Sequence, residues 1–163
     1  MMAATAWACA SRQGAVPRTA DGELLGKRVS FTLVSDAGQP VGVPLTGRAT
    51  VVDFWAPTCK PCQEKVPALH ARRGELASAG VELVLVAVLA DGESTADAAA
   101  ALASWGVPGA PFLVDRDEVS AREAAVRGLP ATHVYDRAGN LGWIAPVSAS
   151  AGDVVAAAKA MAK

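Results

Sequence analysis

The feature that most constrains the fold is a pair of apolar runs that are separated by one helical pattern. Residues 49–55 (ATVVDFW) and 81–90 (VELVLVAVLA) are rich in β-branched and other apolar side chains, which is typical of buried strands. Residues 59–78 have a helical rhythm that places three apolar residues on one side, namely Val66, Leu69 and Leu76. Gly80 then ends this helix. A strand, a helix and a strand in this order predict a right-handed parallel βαβ unit.

The rest of the chain supplies strands and helices on either side of this unit. Residues 29–45 contain two extended segments around a glycine-containing turn and predict a hairpin. Residues 131–146 predict two further strands that are joined by a turn. Residues 111–115 predict one short strand, and three more helices are predicted at 95–105, 117–128 and 150–163. A length of 163 residues suits one domain with one core.

Residues 1–26 differ from the remainder because they are small, polar and interrupted by Gly and Pro. Such a composition buries too little surface to fold alone, so we predict a mostly disordered tail at 1–26 and one domain at 27–163. Cys9 follows Ala8 in a context that loosely resembles a lipoprotein processing site, although Trp7 fits such a site poorly. A lipidated Cys9 and a free thiol both remain open. No stretch of the sequence reaches the ~18 apolar residues of a membrane span.

The charge of the chain argues against polyanionic partners. The formal net charge is −1 at pH 7, the sequence pI is about 6.1, and Lys and Arg do not form a run. A nucleic-acid-binding surface needs a concentrated basic patch. We therefore expect no nucleic-acid partner, and we expect the chain to be a monomer.

Cys59 and Cys62 are three positions apart, where the predicted helix follows the first buried strand. If the helix begins near Cys59, both residues lie on one face of its first turn, with Cα atoms about 5–6 Å apart, which suits a disulfide. The active-site loop between them consists of Lys60 and Pro61. A bridge around two residues gains little loop entropy, so stabilisation does not explain the pair. Pro61 is compatible with the first turn, and Pro67 is expected to kink the helix.

The two cysteines are predicted to differ in reactivity. Unpaired N–H groups and the dipole at a helix N-terminus favour a thiolate, so Cys59 is the expected nucleophile. It would form a mixed disulfide with a partner, and the less exposed Cys62 would then displace that partner.

A metal site is not expected at this pair. Zinc needs more ligands than two thiolates, and the two histidines, His70 and His133, do not have a finger-like spacing from them. We expect His70 to face solvent on the helix and His133 to be a strand residue. The only redox group that we expect is the cysteine pair, with no cofactor and no metal.

The segment VVDFWAPTCKPCQEKVPAL resembles the active-site segment of the thioredoxin family. In that family a strand ends in Asp or Asn, Phe and Trp, a C-x-P-C pair opens a helix, and a proline follows five residues after the second cysteine. The segment RGLPATHVYDRAGNL is similar to the family's strand after a Gly-x-Pro-Thr motif, although Ala131 stands between Pro130 and Thr132. The resemblance implies that Pro130 is the family's cis-proline and faces the cysteines.

The N-terminal hairpin and the insertion before Pro130 resemble the ResA and TlpA branch of exported thioredoxin-like proteins. This resemblance covers residues 27–163 and implies an α/β fold with a central mixed sheet, flanking helices, a hairpin and a β-α insertion. It implies a thiol–disulfide oxidoreductase that acts on protein thiols or disulfides, as a reductase. It also implies a periplasmic or cell-envelope location, a membrane dithiol donor and a role such as cytochrome c maturation, with a cytoplasmic location left open.

Three positions depart from the residues that are usual in these families. Thr58 stands where thioredoxins and many relatives have Trp, which implies a different partner surface. Lys65 stands where ResA-like proteins often have a redox-linked Glu, so the role of that glutamate does not transfer. Asp53 matches thioredoxin itself, whereas many exported members have Asn.

Asp53 has two interpretations from its chemistry. A carboxylate buried in the run VVDFW would have a raised pKa and could accept the proton of Cys62. Alternatively, its side chain reaches solvent at the strand end.

The residues expected to bind a partner strand surround the cysteines and are Leu129, Pro130, Trp55 and Thr58. Trp55 could equally fill the core.

Two other functions would use the same features. A peroxiredoxin shares the fold, but its P-x-x-x-T-x-x-C arrangement is absent because Pro57, Thr58 and Cys59 are adjacent. A non-catalytic redox sensor or metallochaperone would use the same thiols for binding. It would retain Cu(I) or Zn(II) without dithiol turnover.

Overall fold

The computed structural model describes residues 23–163, so the predictions for Cys9 and for residues 1–22 lie outside the described residues. The strands are β1 (Phe31–Ser35), β2 (Pro40–Val43), β3 (Ala49–Trp55), β4 (Val81–Val88), β5 (Leu113–Asp115), β6 (Ala131–Tyr135) and β7 (Leu141–Ile144). The helices are α1 (Cys62–Ala71), α2 (Arg73–Ser78), α3 (Thr95–Ser104), α4 (Val119–Glu123) and α5 (Ala151–Met161).

These strands form one mixed sheet in the order β2-β1-β5-β4-β3-β6-β7. β3 and β4 run parallel, with Ala49 opposite Val81, whereas β6 runs antiparallel to β3. The predicted βαβ unit is therefore confirmed, and so are the antiparallel pairs at both ends of the sheet. The N-terminal hairpin and the insertion of α3, β5 and α4 before β6 confirm the predicted thioredoxin-like fold.

β3 lies at the centre of the packing because every one of its seven residues is buried. Its side chains alternate between the two faces of the sheet. Phe54 faces a cluster that includes Phe31 and Val43 of the hairpin, and we call this side the hairpin face. Trp55 faces the opposite side, where Cys62 of α1 and residues of α3 pack, and we call that side the helix face.

The helix predicted over residues 59–78 is two helices in the structure. α1 begins at Cys62, and α2 follows after a break at Arg72, where φ is −97° and ψ is 5°. A hydrogen-bonded turn precedes α1, in which the Cys62 amide donates to the Cys59 carbonyl at 3.1 Å. The interruption of the helix is therefore at Arg72, and α1 continues through Pro67.

The helix predicted over residues 117–128 is also shorter in the structure, because α4 has only five residues. Ala125 has a φ of 54°, which is left-handed backbone that an α-helix does not contain. The residues after α4 form an irregular loop that leads to Pro130. Ala131 then pairs with Phe54, so this loop reaches the C-terminal end of β3.

The first described residues are attached to the sheet. The Gly26 amide donates to the Leu141 carbonyl at 2.8 Å, and Leu24 packs against the cluster on the hairpin face. The boundary between a tail and a domain near residue 27 remains a prediction. None of the helices in residues 23–163 is long and apolar enough to cross a membrane.

Ser150 caps α5 through a reciprocal pair of hydrogen bonds. Its hydroxyl accepts from the Asp153 amide at 3.2 Å, and the Asp153 carboxylate accepts from the Ser150 amide at 2.8 Å. Ser150→Ala should therefore lower the free energy of unfolding by roughly 1 kcal/mol, as measured by urea denaturation. Ser148→Ala, at an exposed serine in the preceding turn, is the control. An equal loss in both variants would contradict the capping role.

Candidate active site

The C-terminal end of β3 continues directly into the loop that carries the cysteine pair. Cys59 and Cys62 are joined by a disulfide, and their Cα atoms lie 5.3 Å apart. The loop is held by its own backbone, because the Cys59 amide donates to the Ala56 carbonyl at 3.1 Å. The prediction that these two residues can form a disulfide is confirmed.

The two cysteines have different surroundings. Cys62 is the first residue of α1 and is fully buried, whereas Cys59 is partly exposed. Cys59 lies before α1 and not in its first turn, which corrects the expected start of the helix. Its sulfur is nevertheless held at the helix N-terminus by the bond to Cys62. Cys59 is thus the cysteine with exposed surface, whereas burial shields Cys62.

Leu129 and Pro130 lie next to the cysteine loop. The Leu129–Pro130 peptide bond is cis, as the family resemblance implies. Both residues are partly exposed and line a groove of about 290 Å³ together with Pro61. We call it the proline groove, and its lining consists of Pro61, residues 125–131, His133, Ile144, Ala145 and Val147. The structure thus brings the cysteine loop and the expected substrate-binding residues Leu129 and Pro130 together.

Asp53 is fully buried on the helix face, which excludes the alternative that its side chain reaches solvent. Its Oδ1 accepts a hydrogen bond from Thr132 Oγ1 at 2.6 Å, while Oδ2 has no partner within residues 23–163. Burial disfavours the charged form and raises the pKa of Asp53 to about 6. Asp53 shares the helix face with Trp55, which packs with Cys62, so the carboxyl lies on the side of the sheet that carries the buried cysteine.

Two groups oppose the effect of burial on the pKa of Asp53. The hydrogen bond from Thr132 stabilises the carboxylate, and the positive charge of Lys65 stabilises it to a smaller extent. Lys65 lies three residues after Cys62, and therefore on the same side of α1, and it is partly exposed. At this position the chain thus has a charge that favours ionised Asp53, whereas a glutamate would oppose ionisation.

The burial of the Trp55 side chain favours the alternative that this residue fills the core, and its contact with a partner remains a prediction. The side chain is fully buried, and its ring centroid lies 5.3 Å from that of Trp105 and 6.0 Å from that of Phe112. Trp55 packs in the same buried cluster as Cys62, on the helix face beneath the cysteine loop.

The other residues of the loop form the surface around Cys59. Thr58, Lys60 and Pro61 are all exposed. Contact between Thr58 and a partner remains a prediction that this exposure permits. Within the described part of the chain, no group of three or more His, Cys, Asp or Glu side chains is arranged to hold a metal ion.

Sequence analysis does not predict the contacts of two residues in this region. Thr132 is the hydrogen-bond donor to Asp53, and it lies directly opposite Asp53 in the β3–β6 register. His133 is expected only as a strand residue, yet it lines the proline groove. The signal for both is the pairing of β6 with β3, which follows from the fold and not from any local motif.

This fold and site define a thioredoxin-like protein with a redox-active cysteine pair, an adjacent cis-proline and a buried carboxyl on the helix face. Comparison with protein families agrees with this class. The model of the AhpC/TSA family matches residues 25–144, and the chain belongs to that family.

The chain is also similar to individual relatives. It is 30% identical over 94 residues to the thioredoxin-like protein YneN of Bacillus subtilis (strain 168), which is 57% of this chain and 53% of YneN. The chain therefore spans about half the length of this curated relative. It is similar to a putative thiol:disulfide interchange protein DsbE from Chlorobium tepidum (TM-score 0.67, 25% identity, 82% of this chain and 97% of that one). A secreted Mycobacterium tuberculosis disulfide oxidoreductase homologous to E. coli DsbE is also similar (TM-score 0.64, 25% identity, 80% and 95%).

The buried carboxyl should make the stability of the oxidised protein depend on pH. The pKa of Asp53 is about 6 in the folded chain and 3.8 ordinarily, so the folded chain holds this proton more tightly. The stability that protonation contributes is complete below pH 3.8 and is lost as the pH rises through about 6. The loss is roughly 3 kcal/mol, at about 1.4 kcal/mol for each pKa unit.

Asp53→Asn removes this titration. The free energy of unfolding of the variant, minus that of the parent chain, should therefore be roughly 3 kcal/mol larger at about pH 8 than at about pH 4. Urea unfolding of the two oxidised proteins at both pH values measures this difference. Asp91→Asn, at an exposed aspartate, is the matched control and should show no such gain. A parallel pH dependence in Asp53→Asn and the parent would show that the carboxyl does not carry this energy.

Thr132→Val and Lys65→Gln each remove one of the groups that stabilise the Asp53 carboxylate. Both variants should raise the pKa of Asp53 above its value of about 6, and Thr132→Val should raise it more. A ¹³C NMR titration of the Asp53 carboxyl measures this change. Lys27→Gln, at an exposed lysine near the other end of β6, is the control. A lower pKa in either variant would contradict the assigned interactions.

Proposed function

We propose that the chain is a thiol–disulfide oxidoreductase that reduces disulfides of proteins outside the cytoplasm. One observation carries this proposal. The Cys59–Cys62 disulfide joins a partly exposed cysteine, next to cis-Pro130, to a buried cysteine on the side of the sheet that holds Asp53. This asymmetry supports a division of roles in which one sulfur meets the partner and the other releases it. A disulfide that served only as a staple would need no such difference between its sulfurs.

The reaction proceeds in two exchanges. In the reduced protein, the Cys59 thiolate attacks a sulfur of the partner's disulfide, forms a mixed disulfide and displaces the partner's other sulfur as a thiolate. Cys62 then gives its proton to the Asp53 carboxylate and attacks the sulfur of Cys59. The partner leaves with its second sulfur as a thiolate, so the partner has gained two electrons and the Cys59–Cys62 disulfide has formed.

Asp53 can take part in the reductive direction of the exchange. When a reduced donor keeps the chain in its dithiol form, Asp53 can take the Cys62 proton in the step in which the chain closes its own disulfide and releases a reduced partner, while the reduction potentials of the two couples set the direction. The chain must then be reduced again by a dithiol, which we propose to be a membrane-bound donor. Similarity to a secreted disulfide oxidoreductase and to a putative thiol:disulfide interchange protein DsbE supports a periplasmic or cell-envelope setting. We propose oxidised apocytochrome c as one partner there.

Trapping of the mixed disulfide tests the assigned roles. In a Cys9→Ser background, which removes the third cysteine, Cys62→Ser should accumulate mixed disulfides with an oxidised, unfolded protein. Cys59→Ser is the matched control and should accumulate none, because its remaining thiol is buried. Non-reducing electrophoresis and mass spectrometry identify the products. Failure of Cys62→Ser to capture any protein would overturn the claim that proteins are the substrates.

The equilibrium potential of the Cys59–Cys62 couple tests the direction. A value near that of thioredoxin, about −270 mV, would support reduction, and a value near about −120 mV would indicate an oxidant. Turnover of peroxide in place of disulfides would indicate a peroxiredoxin. Stoichiometric retention of Cu(I) or Zn(II) without dithiol turnover would indicate a sensor or metallochaperone.

A further inference from the structure

The proline groove contains a titratable side chain that the exchange reaction does not use. His133 follows Thr132 in β6, so it faces the hairpin face, on the opposite side of the sheet from Asp53. It is only 3% exposed, and its ring meets that of Phe54 edge-on, with centroids 5.4 Å apart. The small exposed part lies in the groove that starts at Pro61 and Pro130.

The hydrogen bond of His133 fixes which ring nitrogen carries the proton. Nδ1 lies 3.3 Å from the hydroxyl of the fully buried Tyr135, which has no other side-chain partner within residues 23–163. If that hydroxyl did not donate to Nδ1, a buried donor would be left unsatisfied at a cost of about 1–3 kcal/mol. The Tyr135 hydroxyl therefore donates to Nδ1, and the proton of the neutral imidazole is on Nε2.

The Nε2–H group is available to a ligand. Nε2 has no hydrogen bond to the part of the chain that the structure describes. Because His133 lines the proline groove, Nε2 is the ring nitrogen through which this side chain can meet a ligand there. Burial lowers the pKa of His133 to about 4, so the ring is neutral at neutral pH. The groove thus presents a neutral N–H donor within a mainly apolar lining.

The groove also has a charge of one sign. Among the residues that line it in the described chain, Arg127 is the only one with a permanent charge, and no acidic side chain lines it. Arg127 is exposed, and its Nη1 donates to the Ala121 carbonyl at 3.0 Å, which holds the guanidinium near the loop. A donor in the groove and a cation on its wall both favour a ligand that accepts hydrogen bonds and carries negative charge.

We propose that the proline groove is a specificity site that selects partner segments with a carboxylate side chain near the reacting cysteine. His133 Nε2 donates a hydrogen bond to that carboxylate, and Arg127 supplies the opposite charge. Val147, which is 90% exposed on the groove's wall, offers apolar contact to the same segment. The inference rests on the proposed function, because the groove contacts the residues that flank a partner's cysteine only when that cysteine is bound to Cys59.

A set of disulfide-containing peptides tests this proposal. The peptides differ only in one residue, which is Glu, Gln, Leu or Lys and is placed in turn at each position flanking the cysteine. At the flanking position whose side chain enters the groove, kcat/KM should fall in the order Glu, Gln, Leu, Lys. A neutral hydrogen bond contributes about 0.5–1.5 kcal/mol, so Gln should exceed Leu by roughly two- to tenfold.

Two variants separate the hydrogen bond from the charge. His133→Phe keeps an aromatic ring against Phe54 and should remove the preference for Gln over Leu. Arg127→Gln should remove the preference for Glu over Gln and keep that for Gln over Leu. Arg137→Gln removes a positive charge from the turn at the other end of β6 and is the control, with all preferences unchanged.

His133→Phe leaves the Tyr135 hydroxyl without an acceptor and is expected to be less stable. The double variant His133→Phe/Tyr135→Phe replaces both partners of the buried hydrogen bond. It provides the same test without leaving the Tyr135 hydroxyl unpaired. The rate of thiol–disulfide exchange with dithiothreitol is measured for each variant, and the peptide rates are divided by it. This ratio corrects for any change in the reactivity of the Cys59–Cys62 pair. ¹⁵N NMR of the parent chain should show the Nε2–H tautomer of His133.

Equal rates for the Glu, Gln, Leu and Lys peptides at every position, or the Nδ1–H tautomer, would overturn this proposal and leave the proposed function standing. Loss of the preference in Arg137→Gln as well would also overturn it, because the effect would then be one of overall charge. Absence of exchange with every peptide and with dithiothreitol would contradict the proposed function and this inference together.

Discussion

The pairing of β6 with a completely buried β3 is the constraint on which the site depends. Asp53 is the only ionisable residue in that strand, and its carboxyl is accommodated because Thr132 lies opposite it and donates a hydrogen bond. A shift of the register by one residue would turn the side chains of β6 to the other face and remove this donor. The same register brings Pro130, directly before β6, to the end of β3 where the cysteine loop begins.

Burial has opposite consequences for the two titratable groups on the two faces of this strand pair. On the helix face it raises the pKa of the Asp53 carboxyl to about 6, whereas on the hairpin face it lowers the pKa of the His133 imidazole to about 4. Both shifts have the same cause, which is the penalty for a charge away from water. The result is an acid with a pKa of about 6 on the face of the sheet that carries Cys62, and a base that stays uncharged at neutral pH in the groove.

The elements that sequence analysis predicts well are those whose burial pattern is local. β3 is predicted with its observed bounds because a continuous apolar run marks a strand that is covered on both faces. The segment 117–128 fails because its composition favours a helix while its packing does not. Ala124 and Val126 are both buried on the hairpin face, and residues two apart do not share one side of a helix. The roles of Thr132 and His133 depend on a strand register that no local motif encodes.

The strength of the Asp53 interactions decides whether it can act as a base. A carboxylate in a complete buried ion pair would have a low pKa and would bind the Cys62 proton weakly, whereas an unassisted buried carboxyl would already hold a proton at neutral pH. Asp53 lies between these limits because, among the residues that the structure describes, it has one hydrogen bond, one oxygen without a partner and one partly exposed cation at Lys65. Solvent weakens the field of a partly exposed lysine, so Lys65 lowers the pKa of Asp53 only to a small extent. A lysine at this helix position therefore has a physical effect of its own, because it favours the ionised carboxyl that the proposed mechanism requires as the second sulfur attacks.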